Sequence, residues 1–175
     1  MITITGNKNI TDSLIDLSKL DVVFTSKPVV FGGLAMEYYG LRKHEHDIDL
    51  IISNEDYQTL VKKYTNNKKD RWGDFGLEIG EFEIWRSICK LEYGFYSEGA
   101  VEYESYKVLL FERLFFMKAI AYENEPEVQK HTDDFKIIIQ YYYEKYQNKD
   151  YVEYMNKHSE KYLSVPYGII YNDNY

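Results

Sequence analysis

The sequence predicts an α/β protein: a small, twisted, mixed sheet with flanking helices, followed by a C-terminal helical annex. Three observations lead there. Lys27-Pro28 opens the β-branched and aromatic run Val29-Val30-Phe31, which Gly32-Gly33 closes before the helix-favouring stretch Leu34 to Tyr39, so this segment reads as strand, glycine turn, helix. Phe75 to Ile88 alternates apolar and polar residues around Gly80-Glu81, the Gly-first pair of a tight hairpin. From about Val108 the apolar residues take up helical spacing. The core is therefore expected over residues 1–105, and the annex with its tail over 106–175.

The remaining elements follow in chain order. Thr11 or Asp12 can cap a short helix reaching Leu20, with Leu14, Ile15, Leu17 and Leu20 on one stripe. Asp47 to Ile52 (DIDLII) is a second strand, apolar on both faces in its second half as a central strand is, and Asn54-Glu55-Asp56 caps a helix running to about Tyr64. Thr65 to Arg71 reads as a basic polar loop. In the hairpin, Ile79 should pair with Phe82, Glu78 with Glu83 and Leu77 with Ile84. The period-2 rule then sends the apolar four to one face and the two glutamates to the other. Leu109, Leu110, Leu114, Phe115, Met117 and Ile120 form the stripe of one annex helix, and Pro126 starts another carrying Phe135, Ile138, Ile139 and Tyr142. No internal repeat is present, and the tail after Tyr162 is expected to be irregular.

Composition narrows the function. A chain of 175 residues, 45% hydrophobic, can build one core with a small annex but not two full domains. Its formal charge of -8 repels nucleic-acid backbones, so a polynucleotide would need a local basic patch. Cys89 is the one cysteine, which excludes an internal disulfide and a thiolate-rich zinc site. No segment approaches the roughly 18 to 20 continuous apolar residues of a membrane span, and the N-terminal residues do not read as a signal peptide. No membrane contact and a cytoplasmic location are expected; oligomeric state is open. The nineteen tyrosines read as half-buried rings with wet hydroxyls.

The chemistry is concentrated in three places. The Gly32-Gly33 turn lets backbone N–H groups approach phosphate closely. Asp47 and Asp49, two apart on a strand, send both carboxylates to the side opposite Ile48 and Leu50. Parallel carboxylates are costly without a cation between them. Mg²⁺ suits, because it takes hard oxygen ligands and is held by one or two carboxylates plus substrate phosphates. Glu83, on the acidic face of the hairpin, is the candidate third acid, completing a clamp for two ions roughly 3.5 to 4 Å apart that stabilises both attacking and leaving oxygens of an in-line displacement. Mn²⁺ is the alternative ion. Glu78 would oppose Glu83 across the strands, a repulsion that itself argues for a metal nearby.

FGGLAMEYYG, followed by HEHDIDLII and later by GEFEIW, resembles the polymerase-β nucleotidyltransferase superfamily, whose pattern is a Gly-Gly or Gly-Ser turn, an acid-hydrophobic-acid strand and a later strand with one more acid. The stretch also resembles small bacterial members, including lincosamide-resistance transferases and nucleotidyltransferase-like toxins and antitoxins. Thirteen residues separate Gly33 from Asp47, at the long end of the family spacing. The likeness spans about residues 28 to 90, and the helices from 108 to 145 more loosely. It implies the nucleotidyltransferase fold, Asp47, Asp49 and Glu83 as metal ligands, and a lysine on the first annex helix that reaches the triphosphate, a position Lys118 occupies. Two departures stand out: Gly33 replaces the serine common in the turn, and the third acid is Glu where many members have Asp.

Blander readings accompany each motif. His44, His46 and Asp47 could be a transition-metal cluster but fit a solvated loop better, with Arg42 and His44 free to touch phosphate or acceptor. Lys118 is as readily a snorkelling lysine, Trp85 a core or rim aromatic before a base-stacking one, and the cluster Lys130, His131, Asp133, Asp134 and Lys136 a solvated helix face. The expected activity is transfer of a nucleoside monophosphate from a triphosphate such as ATP to an acceptor hydroxyl or phosphate, with Gly32, Gly33, Arg42 and Lys118 on the nucleotide. The acceptor is a small molecule, a tRNA end or a protein. The rival expectation is a binding module of the same fold, an antitoxin-like partner with little or no turnover.

Overall fold

A computed structural model describes residues 6–146. Seven strands form one mixed sheet in the order β3-β4-β5-β2-β1-β9-β8, with β1 Val29–Val30, β2 Ile48–Ile51, β3 Lys68–Arg71, β4 Asp74–Ile79, β5 Phe82–Trp85, β8 Val101–Glu102 and β9 Lys107–Val108. β6 (Ser87–Ile88) and β7 (Leu91–Glu92) make a separate two-stranded hairpin. The helices are α1 Lys8–Leu14, α2 Gly32–Tyr38, α3 Asn54–Lys63, α4 Tyr93–Ser97, α5 Phe111–Asn124 and α6 Gln129–Tyr146. The class is the mixed α/β one expected.

Two short strands carry the centre. β1 pairs antiparallel with β2 and parallel with β9, and its residues Val29 and Val30 are fully buried. β2 runs parallel to β5 with Asp49 opposite Glu83. The hairpin has the expected register, Ile79 with Phe82, Glu78 with Glu83 and Leu77 with Ile84. Leu77, Phe82 and Ile84 are buried, with Ile79 partly so, because a strict alternation around a two-residue turn leaves only one register in which the apolar set faces the core.

Elsewhere the local signals were overridden. The N-terminal stretch is a helix over Lys8–Leu14 capped by Asn7, followed by a separate 3₁₀ turn over Leu17–Leu20. Thr11 does not cap it but lies buried inside it, its hydroxyl 2.7 Å from that of Tyr106, which also donates to Asp12. Ser53, not Asn54, caps α3, its hydroxyl accepting from the Asp56 N–H. Asp56 is buried, accepting from the backbone of Thr25 and Ser26 and from the Ser53 hydroxyl. Thr65 to Arg71 is no loop: a 3₁₀ turn over Thr65–Asn67 leads into β3, which adds antiparallel to β4. Val108, where helical spacing begins in the sequence, is still sheet, and α5 starts at Phe111. Several tyrosines are more deeply placed than half-buried. The rings of Tyr39, Tyr57 and Tyr96 are buried and their hydroxyls donate to the carbonyls of Leu109, Gly76 and Ile88. The tail after Tyr162 lies outside the described residues.

Gly80 turns the hairpin that presents Glu83. Its φ is +59° and a Cβ there would meet nothing within 4 Å, so Gly80→Ala carries only the left-handed backbone cost. It should lower unfolding free energy by about 1 kcal/mol with cooperativity intact, as read by urea denaturation.

Candidate active site

Asp47, Asp49, Glu83, Gly32, Gly33, Arg42 and Lys118, far apart in sequence, all line one cleft of about 410 Å³ between the sheet and α5–α6. The fold explains the meeting. The Phe31 N–H donates to the Asp49 carbonyl at 3.1 Å, continuing the β1–β2 ladder so that the chain turns at Gly32 directly beside the Asp49 side chain. Gly32 has φ +61°, and a Cβ on it would lie 1.8 Å from Asp49 Oδ2. Glycine suits the left-handed backbone there, and any Cβ would displace the Asp49 carboxylate. The Gly33 backbone N–H favours the charged form of the Asp49 carboxylate, though less than burial and Glu83 oppose it. A Cβ at Gly33 would make ordinary contacts, 3.6 Å from His44 Cβ and 3.7 Å from Arg42 Nη1. The missing serine is therefore not excluded by space.

The carboxylates crowd one another. Burial first, then the charge of Glu83, and more weakly that of Asp47, push the Asp49 acid up to about 7, against the opposing pull of Lys118 and the Gly33 N–H. Yet the three do not close on a common point. Among the described residues, no three His, Cys, Asp or Glu side chains form a group able to hold a metal ion as they are placed. Asp47 precedes β2 and is exposed, and Glu83 is engaged elsewhere: Lys69 on β3 brings Nζ to 2.9 Å from Glu83 Oε1 and 3.6 Å from Glu78 Oε2. The opposition of Glu78 and Glu83 is thus answered by a lysine rather than calling for a metal, which the reading of that segment as a loop concealed. The same ammonium lies 5.3 Å from the Trp85 ring centroid, and Trp85 itself is buried, its indole against Gly76.

The cations on the other side are held by a residue the sequence placed on a solvated helix face. Asp134, 1% exposed, accepts from Arg42 Nε at 2.5 Å and Nη2 at 3.0 Å, and from Lys118 Nζ at 2.6 Å. Burial would raise its acid, but the hydrogen bonds and charges of Arg42 and Lys118 outweigh that and hold it below the usual carboxylate range. Lys118 is not snorkelling; it ends on a buried carboxylate. His44 does not reach the cleft, since its Nδ1 and backbone N–H both meet Glu37 Oε2, at 2.5 and 3.0 Å. Lys130 lines the cleft and pairs with Glu45 at 2.8 Å. His131 also lines it and meets Glu125 at 3.0 Å.

The chain matches no model of a known protein family and no curated protein sequence.

Two expectations follow from these charges. Metal-free protein binds a proton at Asp49 that the unfolded chain has given up above the ordinary 3.8. The contribution of Asp49 to stability should therefore fall as pH rises from about 4 to about 7, so that the wild type loses stability relative to Asp49→Asn over that range. Urea midpoints across that range decide it. Removing the Asp134 charge leaves two cations with no buried counter-charge, so Asp134→Asn should cost about 3 kcal/mol. A cycle with Lys118→Met should show strong coupling, the double variant losing less than the sum.

Proposed function

We propose that the protein is a metal-dependent nucleotidyltransferase that moves a nucleoside monophosphate from a triphosphate to an acceptor. The observation that carries this reading is the pairing, across one cleft, of a crowded carboxylate set on the sheet with two cations pinned by Asp134 on the annex. A triphosphate needs both: positive groups for its oxygens, and hard anionic donors for the cation it carries.

Arg42 and Lys118 hold the phosphates, with Asp134 keeping both side chains in place. The Gly32 turn allows close backbone approach. Asp47, Asp49 and Glu83 are the donors that would hold Mg²⁺, the hard oxygen set it prefers, provided Glu83 leaves Lys69. Bound there, Mg²⁺ would neutralise charge developing on the phosphates and the leaving group. One carboxylate takes the acceptor's proton as the acceptor oxygen bonds to the α-phosphorus. The bond from that phosphorus to the bridging oxygen breaks, and pyrophosphate departs with its electron pair. The acceptor is a small molecule, a tRNA end or a protein, and the acidic balance of the chain weighs against extended contact with a polynucleotide.

A second reading, a binding module of the same fold with little turnover, has one observation behind it. Lys69 already supplies a positive charge to Glu83, as it would in a protein that had no use for a metal there.

Mg²⁺ with a triphosphate should raise the melting temperature more than either alone, and EDTA should cancel the gain. Because a proton and the cation compete for Asp49, the Mg²⁺ effect should be larger at pH 8 than at pH 5.5. Asp49→Asn should fold but lose transfer of labelled nucleotide to any acceptor the wild type uses. Transfer retained by a well-folded Asp49→Asn protein would sink the catalytic assignment. Tight binding of a partner protein by a wild type inactive on all acceptors would favour the module.

A further inference from the structure

The cleft has an apolar wall that the phosphate and metal groups leave unused. Four large hydrophobic residues are exposed among those described, and two of them, Trp72 and Val128, line this cleft. Met117 and Ala121 line it as well.

Trp72 occupies the two-residue turn between β3 and β4, where Arg71 pairs with Asp74. Its φ is +56° and that of Gly73 is +82°. Turns of this kind favour Asn or Asp at the first position, because other side chains in the left-handed region crowd the following carbonyl. A tryptophan there is an unfavourable choice for stability, and burial does not offset it, since the residue is 48% exposed. Asp21, Cys89 and Lys90 share this backbone conformation, but of the four only Trp72 exposes a large aromatic ring in the cleft, and that combination points to function. The ring is also held in place. The Arg71 guanidinium lies 4.7 Å from its centroid, and Arg71 Nη2 donates at 3.1 Å to Glu125, which pairs with His131. The turn is thereby tied to the end of α5 and the start of α6.

We infer that Trp72 is a stacking platform for the heterocyclic base of a nucleotide whose phosphates lie on Arg42 and Lys118. This rests on the nucleotide reading above and adds the site that grips the base. An indole offers a flat, uncharged, polarisable face that any base can stack on, so this contact contributes affinity with little choice among bases.

The test is equilibrium binding of each of the four ribonucleoside triphosphates and of inorganic tripolyphosphate, all with Mg²⁺, to wild type, Trp72→Phe and Trp72→Gly. Trp72→Gly removes the ring and relieves the backbone, so its thermal midpoint should hold or rise, which a structural role for the ring would not allow. Its affinity for the triphosphates should fall about 5- to 150-fold, the range for loss of one stacked base. Tripolyphosphate affinity should stay within about twofold of wild type, since no base is lost. Trp72→Phe should keep most of the nucleotide affinity. Equal losses for nucleotide and tripolyphosphate, or none, would overturn the stacking role, as would a wild type that binds tripolyphosphate as tightly as any nucleotide; in that last case the phosphate site stands. A wild type that binds neither ligand overturns the nucleotide reading and the stacking role together.

Discussion

The buried carboxylate of Asp134 is the constraint on which the rest of the cleft depends. It joins three parts of the chain: the loop after α2 through Arg42, α5 through Lys118, and α6 on which it stands. Taking three charges out of water is expensive, and the cost is offset only where geometry is good and the hydrogen bonds are complete. Here the fork of Arg42 spans both carboxylate oxygens while Lys118 shares one of them. The group carries one excess positive charge, facing the acids of the sheet. The annex is thus fastened to the core by the same atoms that set the potential of the cleft.

The opposite wall shows the complementary problem. Asp49 and Glu83 are neighbours in a parallel ladder, and Glu83 and Glu78 in an antiparallel one, so three acids stand in a row across β2, β5 and β4. Register, not chance, puts them there. Two features relieve the row: burial and neighbouring charge raise the Asp49 acid to about 7, and the ammonium of Lys69 pairs with Glu83.

What the sequence made legible was local. The hairpin register could be read because alternation and a Gly-first turn act within a dozen residues, whereas the meeting of Gly32 and Asp49 with Glu83 was expected from the resemblance and the need for a third acid, since the parallel pairing of β2 with β5 joins distant segments. The missed features of the cleft depend on distant partners. Asp134 lies 92 positions from Arg42, and nothing in the run from Lys130 to Lys136 distinguishes a buried acid from a solvated one. Lys69 could have been found by asking what neutralises Glu78 and Glu83, had Lys68 to Arg71 been allowed to be a strand. The cap of α3 was misassigned by one residue because Ser53 and Asn54 are both good cappers, and only the fold decides between them.

That strand has a consequence beyond the cleft. β3, Lys68-Lys69-Asp70-Arg71, ends the sheet among the described residues, and most of it is exposed. An unpaired edge invites another chain to add a strand, and natural sheets resist this by crowding the edge with charge. Three cations in four positions make a poor template for a second copy. By the same physics, an edge of this charge offers a growing sheet less than a bare apolar one would.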